Sequence, residues 1–360
     1  MGNTPDFSKN NLDCLRLILA AIVVLFHVAA LTNLPAFSLF GKYCSPHFAV
    51  RSFFVISGLL IYRSYMRSST LSSYYSKRVR RIYPAYFTVI VVAAFTLWTL
   101  SSVSISRYFF SLEFWKYLGA NLLFLNFAAP SLPGVFTLNS ISAVDGALWT
   151  LKIEVAFYIF VPVIHWLCMR FGTKKTIFAI GVLSAIWKYG FEWLARLHNA
   201  AIPVGEEPAR NLYAKLAVQF PAQFVYFAAG ILLLLFFDKL KSHFALIAAI
   251  TAVVFSSDQF LTHDSLDVLW ITGIVMIFGF WKYFGNFSKY GDVSYGVYIV
   301  HWPILQVLIH FGLAAYSPAL FFAVAISSVG LASFLLWHFV EKRFLATSSH
   351  YRNATPPAPA

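Results

Sequence analysis

Apolar residues run through this chain in long windows separated by short polar stretches, and those windows set the expected elements. A helix needs about 20 apolar residues to cross the hydrocarbon of a bilayer. Windows approaching or exceeding that length lie at 12–32, 46–63, 82–102, 147–169, 176–194, 213–236, 243–258, 266–281, 293–313 and 317–340, which predicts about ten transmembrane helices. The stretch from Trp115 to Ala129 is apolar too, and counting it would reverse the side of every later loop. The polar positions decide. With ten crossings and the N-terminus inside, the cytoplasmic loops hold Arg63, Arg67, Lys77, Arg78, Arg80 and Arg81, then Arg170, Lys174 and Lys175. Lys239, Lys241, Lys282, Lys289, Lys342 and Arg343 follow on the same side. Basic residues collect in cytoplasmic loops, and an eleventh crossing would strand most of those after residue 130 outside. Segment 103–146 is therefore expected at the outer face, interfacial or re-entrant, broken by Pro130, Pro133 and Gly134. Residues 195–212 form the other sizeable outer loop. Both termini are cytoplasmic, and the tail 346–360, with Pro356, Pro357 and Pro359, reads as disordered.

Composition agrees with an all-α integral membrane protein. Apolar residues make up 59% of the chain and charged residues 11%, with a mean hydropathy of +0.71. Soluble domains carry about a quarter charged residues. The net charge of +13 does not point to nucleic acid, because Lys and Arg fall in short clusters between apolar spans. Cys14, Cys44 and Cys168 have no metal or redox spacing, and no metal site is expected. The polar start, Met1 to Lys9, leads into a first helix without a small-residue cleavage site, so that helix is read as retained. Membrane lipids are its surroundings.

Ionisable residues inside apolar windows cost ~2.5–3.5 kcal/mol each at mid-bilayer and mark functional candidates. Arg16 and His27 share the first window, eleven residues apart. That is ~16 Å along a helix and close to three full turns, so both project from one side. With those boundaries Arg16 lies ~6 Å and His27 ~22 Å from the inner edge, while Glu154 lies ~11 Å below the outer edge. His27 and Glu154 thus occur at similar depth on different helices, and a carboxylate beside an imidazole fixes its tautomer and raises its basicity. The plainer alternatives are a His27 bonded to a neighbouring backbone group and a Glu154 in a structural pair with Arg51 or Lys152. His301 lies ~12 Å from the cytoplasmic side and is either a site residue or a packing one. Pro303, two residues on, would loosen its helix. The loop from Lys77 to Pro84 is the densest cationic cluster; Arg78 and Arg81 share a helical face on the membrane side that also holds Arg16. Together they could grip phosphates through paired guanidinium contacts, the alternative being an ordinary basic loop.

These residues fall into a familiar order. Leu12-Asp-Cys-Leu-Arg16 with His27, Ser52-Phe-Phe-Val-Ile-Ser-Gly58, Lys77-Arg-Val-Arg-Arg-Ile-Tyr-Pro84, Leu148-Trp-Thr-Leu-Lys-Ile-Glu154-Val-Ala-Phe-Tyr158, Gly291-Asp-Val-Ser-Tyr-Gly-Val-Tyr-Ile-Val-His301-Trp-Pro303 and Val340-Glu-Lys-Arg-Phe344 resemble acyltransferase family 3. These are membrane-embedded O-acyltransferases of surface glycans in the bacterial cytoplasmic (inner) membrane. The resemblance covers residues 12 to 344 and implies one transmembrane acyltransferase domain over 1–345. It departs from the usual pattern at Cys14 and Leu17, where small residues are common.

The resemblance implies an acyl-CoA donor, acetyl-CoA first, as a substrate and not a tightly bound cofactor. It implies an acceptor glycan or lipid-linked oligosaccharide such as an O-antigen precursor. Its functional set carries over to His27 and Glu154 as catalytic residues and to Arg16, Arg78 and Arg81 as donor-binding ones. The fused extracytoplasmic esterase-like domain of some relatives is not expected here, so transfer is completed by the membrane portion or by a separate extracytoplasmic partner. An oxyanion donor would come from Ser294, Tyr295 or His301. The outer segment with Trp115, Asp145 and Trp149, together with Arg51, would meet the acceptor. A secondary transporter using His27 and Glu154 as a proton relay is the main rival, and a non-catalytic scaffold the other.

Overall fold

Every apolar window folds as a helix. The computed structural model describes residues 7, 9–200, 211–261, 266–285, 287, 291–346 and 349. The expected disordered tail beyond those positions, most of the outer loop 195–212 and the loop cation Lys289 lie outside the described residues. The long elements are α1 (Leu12–Thr32), α2 (Pro46–Met66), α3 (Leu71–Thr96), α4 (Leu112–Leu122), α5 (Trp149–Phe171) and α6 (Thr173–Ala200). They continue with α7 (Phe220–Leu240), α8 (Phe244–Leu261), α9 (Asp267–Phe280), α10 (Ser294–His310) and α11 (Pro318–Leu336). No strand occurs among the described residues. Seven helical stretches among them are long and apolar enough to cross a membrane. The windows of α8, α9 and α10 fold as shorter helices; α9, with 14 residues, covers only about 21 Å.

The Trp115–Ala129 stretch does not make a crossing helix. α4 has 11 residues, about 16 Å of helix against a hydrocarbon core of about 30 Å. It stops because the chain turns at Phe124, whose φ is +61°, and Asn121 caps the turn by donating to the Ala129 carbonyl at 2.9 Å.

The chain divides into two compact units. One comprises residues 1–12, 50–74 and 153–285; the other comprises 13–49, 75–152 and 286–360. In the first, α7 packs along α6 and α9, and Phe54, Phe157, Phe224 and Phe227 form an aromatic core with ring centroids 4.3–6.0 Å apart. Gly58 lets α2 lie directly on the α7 backbone, since a β-carbon there would overlap the Phe227 carbonyl.

In the second unit α1 and α10 run parallel. Their starts are joined through Arg16 and Asp292, and eleven residues further along α1, His27 meets His301 of α10. α11 packs on α10 and then widens into a π-helical turn, Trp337–Glu341. Segment 103–146 is stitched to this unit by polar contacts. Tyr108 donates to the Ala94 carbonyl (2.9 Å) and Tyr86 to that of Asn121 (2.6 Å). Gln306 donates to the carbonyls of Ile141 (2.5 Å) and Ala143 (2.8 Å), and Trp302 also donates to Ala143 (3.2 Å).

Candidate active site

Two polar centres sit along α1 and α10. The first gathers charge. Gly291, at φ +85°, turns the chain in the one way that keeps its α-carbon under the Trp337 indole, where no β-carbon fits. That turn sets Asp292, which is 2% exposed, at the head of α10. Its carboxylate takes Arg16 from α1, Arg81 from α3, and both the hydroxyl and the backbone N–H of Ser294, the last at 3.2 Å. The π-helical turn brings in Glu341, which accepts from Arg81 at 3.3 Å. Burial pushes the Asp292 carboxyl up, but the two guanidiniums and the Ser294 hydrogen bonds outweigh it and hold the group at about 2. Arg78, half-buried, lies one turn before Arg81 on α3. Arg78 thus adds a third arginine beside the two that these carboxylates hold, and Asp13 lies one turn before Arg16 on α1.

The second centre is an imidazole pair. His27 Nδ1 lies 2.8 Å from His301 Nε2, with the ring planes 6° apart. His301 Nδ1 lies 3.2 Å from the Val297 carbonyl one turn back in α10. Trp302 closes edge-on against His27 at 4.8 Å. His301 is fully buried, while His27 keeps partial exposure. α10 continues unbroken through Pro303.

Among the described residues, the hydrogen-bond partner of the His27 imidazole is thus His301. Glu154, in the other unit, accepts from Tyr158 at 2.6 Å. The proposed oxyanion donors are also committed. Ser294 donates to Asp292, and Tyr295 donates to the Ile82 carbonyl at 3.1 Å. A hydroxyl has one proton to give, so neither retains a donor for an oxyanion in this arrangement. His301 spends both ring nitrogens as described.

Arg51 belongs to a separate buried network in the first unit. It binds Asp267 at 2.5 Å and stands 4.0 Å from Glu192. Lys188, with no exposed surface, lies 3.1 Å from Glu192 and 3.7 Å from Asp267. Tyr189 (3.0 Å) and Tyr226 donate to the same Asp267 carboxylate. Among the described residues, two cations and two carboxylates balance in this network. Of the residues assigned to the acceptor, Trp115 is exposed and Trp149 half-buried. Asp145 is buried; its Oδ1 caps Ala147 N at 2.9 Å, and Oδ2 has no hydrogen-bond partner among the described residues. Burial pushes that carboxyl well above the usual range, with the Ala147 N–H pulling the other way.

A family model described as an acyltransferase domain, that of acyltransferase family 3, matches residues 9–338, a range that holds both polar centres except Glu341. The chain belongs to that family. Among its relatives, "Nodulation protein 10" of Rhizobium leguminosarum bv. viciae is 24% identical, with 95% of each chain covered. An O-acetyl transferase of Shigella phage Sf6 is 28% identical, over 95% of this chain and 97% of the relative. An uncharacterized protein of Haemophilus influenzae is 30% identical over 138 residues, 38% of this chain and 54% of its own. No solved structure matches.

In this multi-pass membrane acyltransferase, sequence reasoning missed Asp292 and Glu341 as the partners of the arginines. A signal for both was present. The chain has only 14 acidic residues, and Asp292 and Glu341 are among the few that border apolar windows on the side assigned to Arg16 and Arg81. Cations entering a low-dielectric region need counter-charges, so each of those few carboxylates was a candidate partner.

Proposed function

We propose that this acyltransferase carries an acyl group, an acetyl group first, from cytoplasmic acyl-CoA to a hydroxyl of an extracytoplasmic or lipid-linked glycan in the bacterial inner membrane. The observation that carries the reading is the His27–His301 pair on the same two helices whose other ends hold the arginine cluster. Arg16, Arg78 and Arg81 would grip the phosphates of CoA through paired guanidinium contacts. His27 takes the proton of the acceptor hydroxyl as its oxygen attacks the thioester carbonyl. The C–S bond then breaks, and the proton passes from the imidazolium to the departing thiolate, leaving ester and free CoA. Trp115, Trp149 and Asp145 are the acceptor contacts in this reading. The printed activity of the phage relative, O-acetyl transfer, supports the choice of group.

The test uses protein in nanodiscs with radiolabelled acetyl-CoA and lipid-linked oligosaccharide, wild type against His27→Asn. Asparagine can still donate to His301 but has no basic nitrogen, so folding survives and turnover falls by about 100-fold or more. Wild-type turnover in His27→Asn removes the base from the mechanism. Movement of the glycan without consumption of acetyl-CoA would favour a proton-relay transporter instead.

A further inference from the structure

We infer that His301 is a positioning residue: it fixes the tautomer of His27 and so selects Nε2 of His27 as the atom that takes the proton. The inference rests on the reading of His27 as the base. A carbonyl oxygen can only accept, so the 3.2 Å contact between His301 Nδ1 and the Val297 carbonyl requires the proton on Nδ1. A neutral His301 then has a bare lone pair on Nε2. That lone pair faces His27 Nδ1 at 2.8 Å, and the nearly parallel ring planes suit an in-plane hydrogen bond. His27 Nδ1 must therefore be the donor. With both rings neutral, its single proton is accounted for, and the lone pair of His27 falls on Nε2.

The order of hydrogen bonds runs from the α10 backbone outward: His27 Nδ1–H to His301 Nε2, and His301 Nδ1–H to Val297 O. The arrangement also holds the ring in one rotational setting, because Trp302 backs it at 4.8 Å. The opposite tautomer of His27 would set two lone pairs against each other across the 2.8 Å gap. When His27 Nε2 takes the acceptor proton, the positive charge on its ring strengthens the bond from Nδ1 to the His301 lone pair. His301 thus supports the protonated ring without taking the proton. This is a role for His301 distinct from contact with the oxyanion or the acceptor, and it follows from the backbone partner that depth and sequence spacing do not reveal.

Two variants separate the role from packing. In His301→Gln the amide can present an oxygen where Nε2 stood and still accept from His27 Nδ1; in His301→Leu no acceptor remains. The expected result is a fall in kcat of about 100-fold for His301→Leu with the KM for acetyl-CoA little changed, and recovery to within about tenfold in His301→Gln. ¹⁵N-histidine NMR on the full-length protein in nanodiscs reads the tautomer directly, with the His27 signal identified by its loss in His27→Asn. Wild type should show His27 protonated at Nδ1, and His301→Leu should show a mixture. Protonation of wild-type His27 at Nε2, or wild-type kcat in His301→Leu, overturns the inference. If His301→Leu fails to fold, the wild-type spectrum alone decides. Full turnover in His27→Asn would remove the base reading, whereas the spectrum would still report whether His301 sets the tautomer.

Discussion

At Asp292 two guanidiniums and a serine converge on one buried carboxylate, and the pH at which this contact fails follows from its titration. The carboxyl is held at about 2, against an ordinary value of about 3.9. A group lowered on folding contributes stability that is fully present above the ordinary value and is lost as pH falls through the folded one. Wild type should therefore exceed Asp292→Asn in thermal stability by a constant margin from neutral pH down to about 4, and the margin should shrink between about 4 and about 2. A gap that stays constant to pH 2 would deny Asp292 its ionised role. At this scale the sequence singled out charges by their place in apolar sequence but not which pair with which. Arg16, His27 and Arg81 stood out because each interrupts or borders apolar sequence. Their partners Asp292 and His301 lie more than 200 residues away, and no spacing rule reaches across that distance.

Among the elements, the windows were legible because length and hydropathy alone decide whether a helix can cross lipid. α1, α2, α5 and α11 form close to where the apolar runs begin and end, while α7 starts seven residues into its window. α3 starts earlier than its window, at Leu71, since the basic turn carrying Arg78 and Arg81 is itself helical. Axial depth could be counted in residues, and it placed His27 and Glu154 level. The direction each side chain takes around its helix could not, and the structure gives them different partners. The network of Arg51, Lys188, Glu192 and Asp267 shows the same limit, because Arg51 was read as an acceptor contact and is bound to Asp267. Removing one member of a buried ion network strands the others. Asp267→Ala should lower stability by about 3–5 kcal/mol, read as a shift in the thermal unfolding of purified protein. A wild-type melting curve would mean that Arg51 and Lys188 find water or another anion in its place.

For the whole molecule, orientation is the property most open to direct measurement. With Cys14, Cys44 and Cys168 replaced, single cysteines at the exposed positions Ser69 and Leu138 report the loop between α2 and α3 and the segment after α4. An impermeant maleimide added outside intact spheroplasts should label Leu138→Cys and spare Ser69→Cys until the membrane is opened. The reverse pattern would invert the molecule and move the arginine cluster away from the cytoplasm. On one stretch the winding of the helix matters as much as its orientation. The wide turn Trp337–Glu341 holds one residue more than an ordinary helical turn, and Glu341 reaches Arg81 from its end. Wound at regular α-helical pitch instead, the same five residues would rotate everything beyond them by about 100°. Glu341 would then swing off Arg81, so the looser winding of this one turn is what fastens the end of α11 to the arginines.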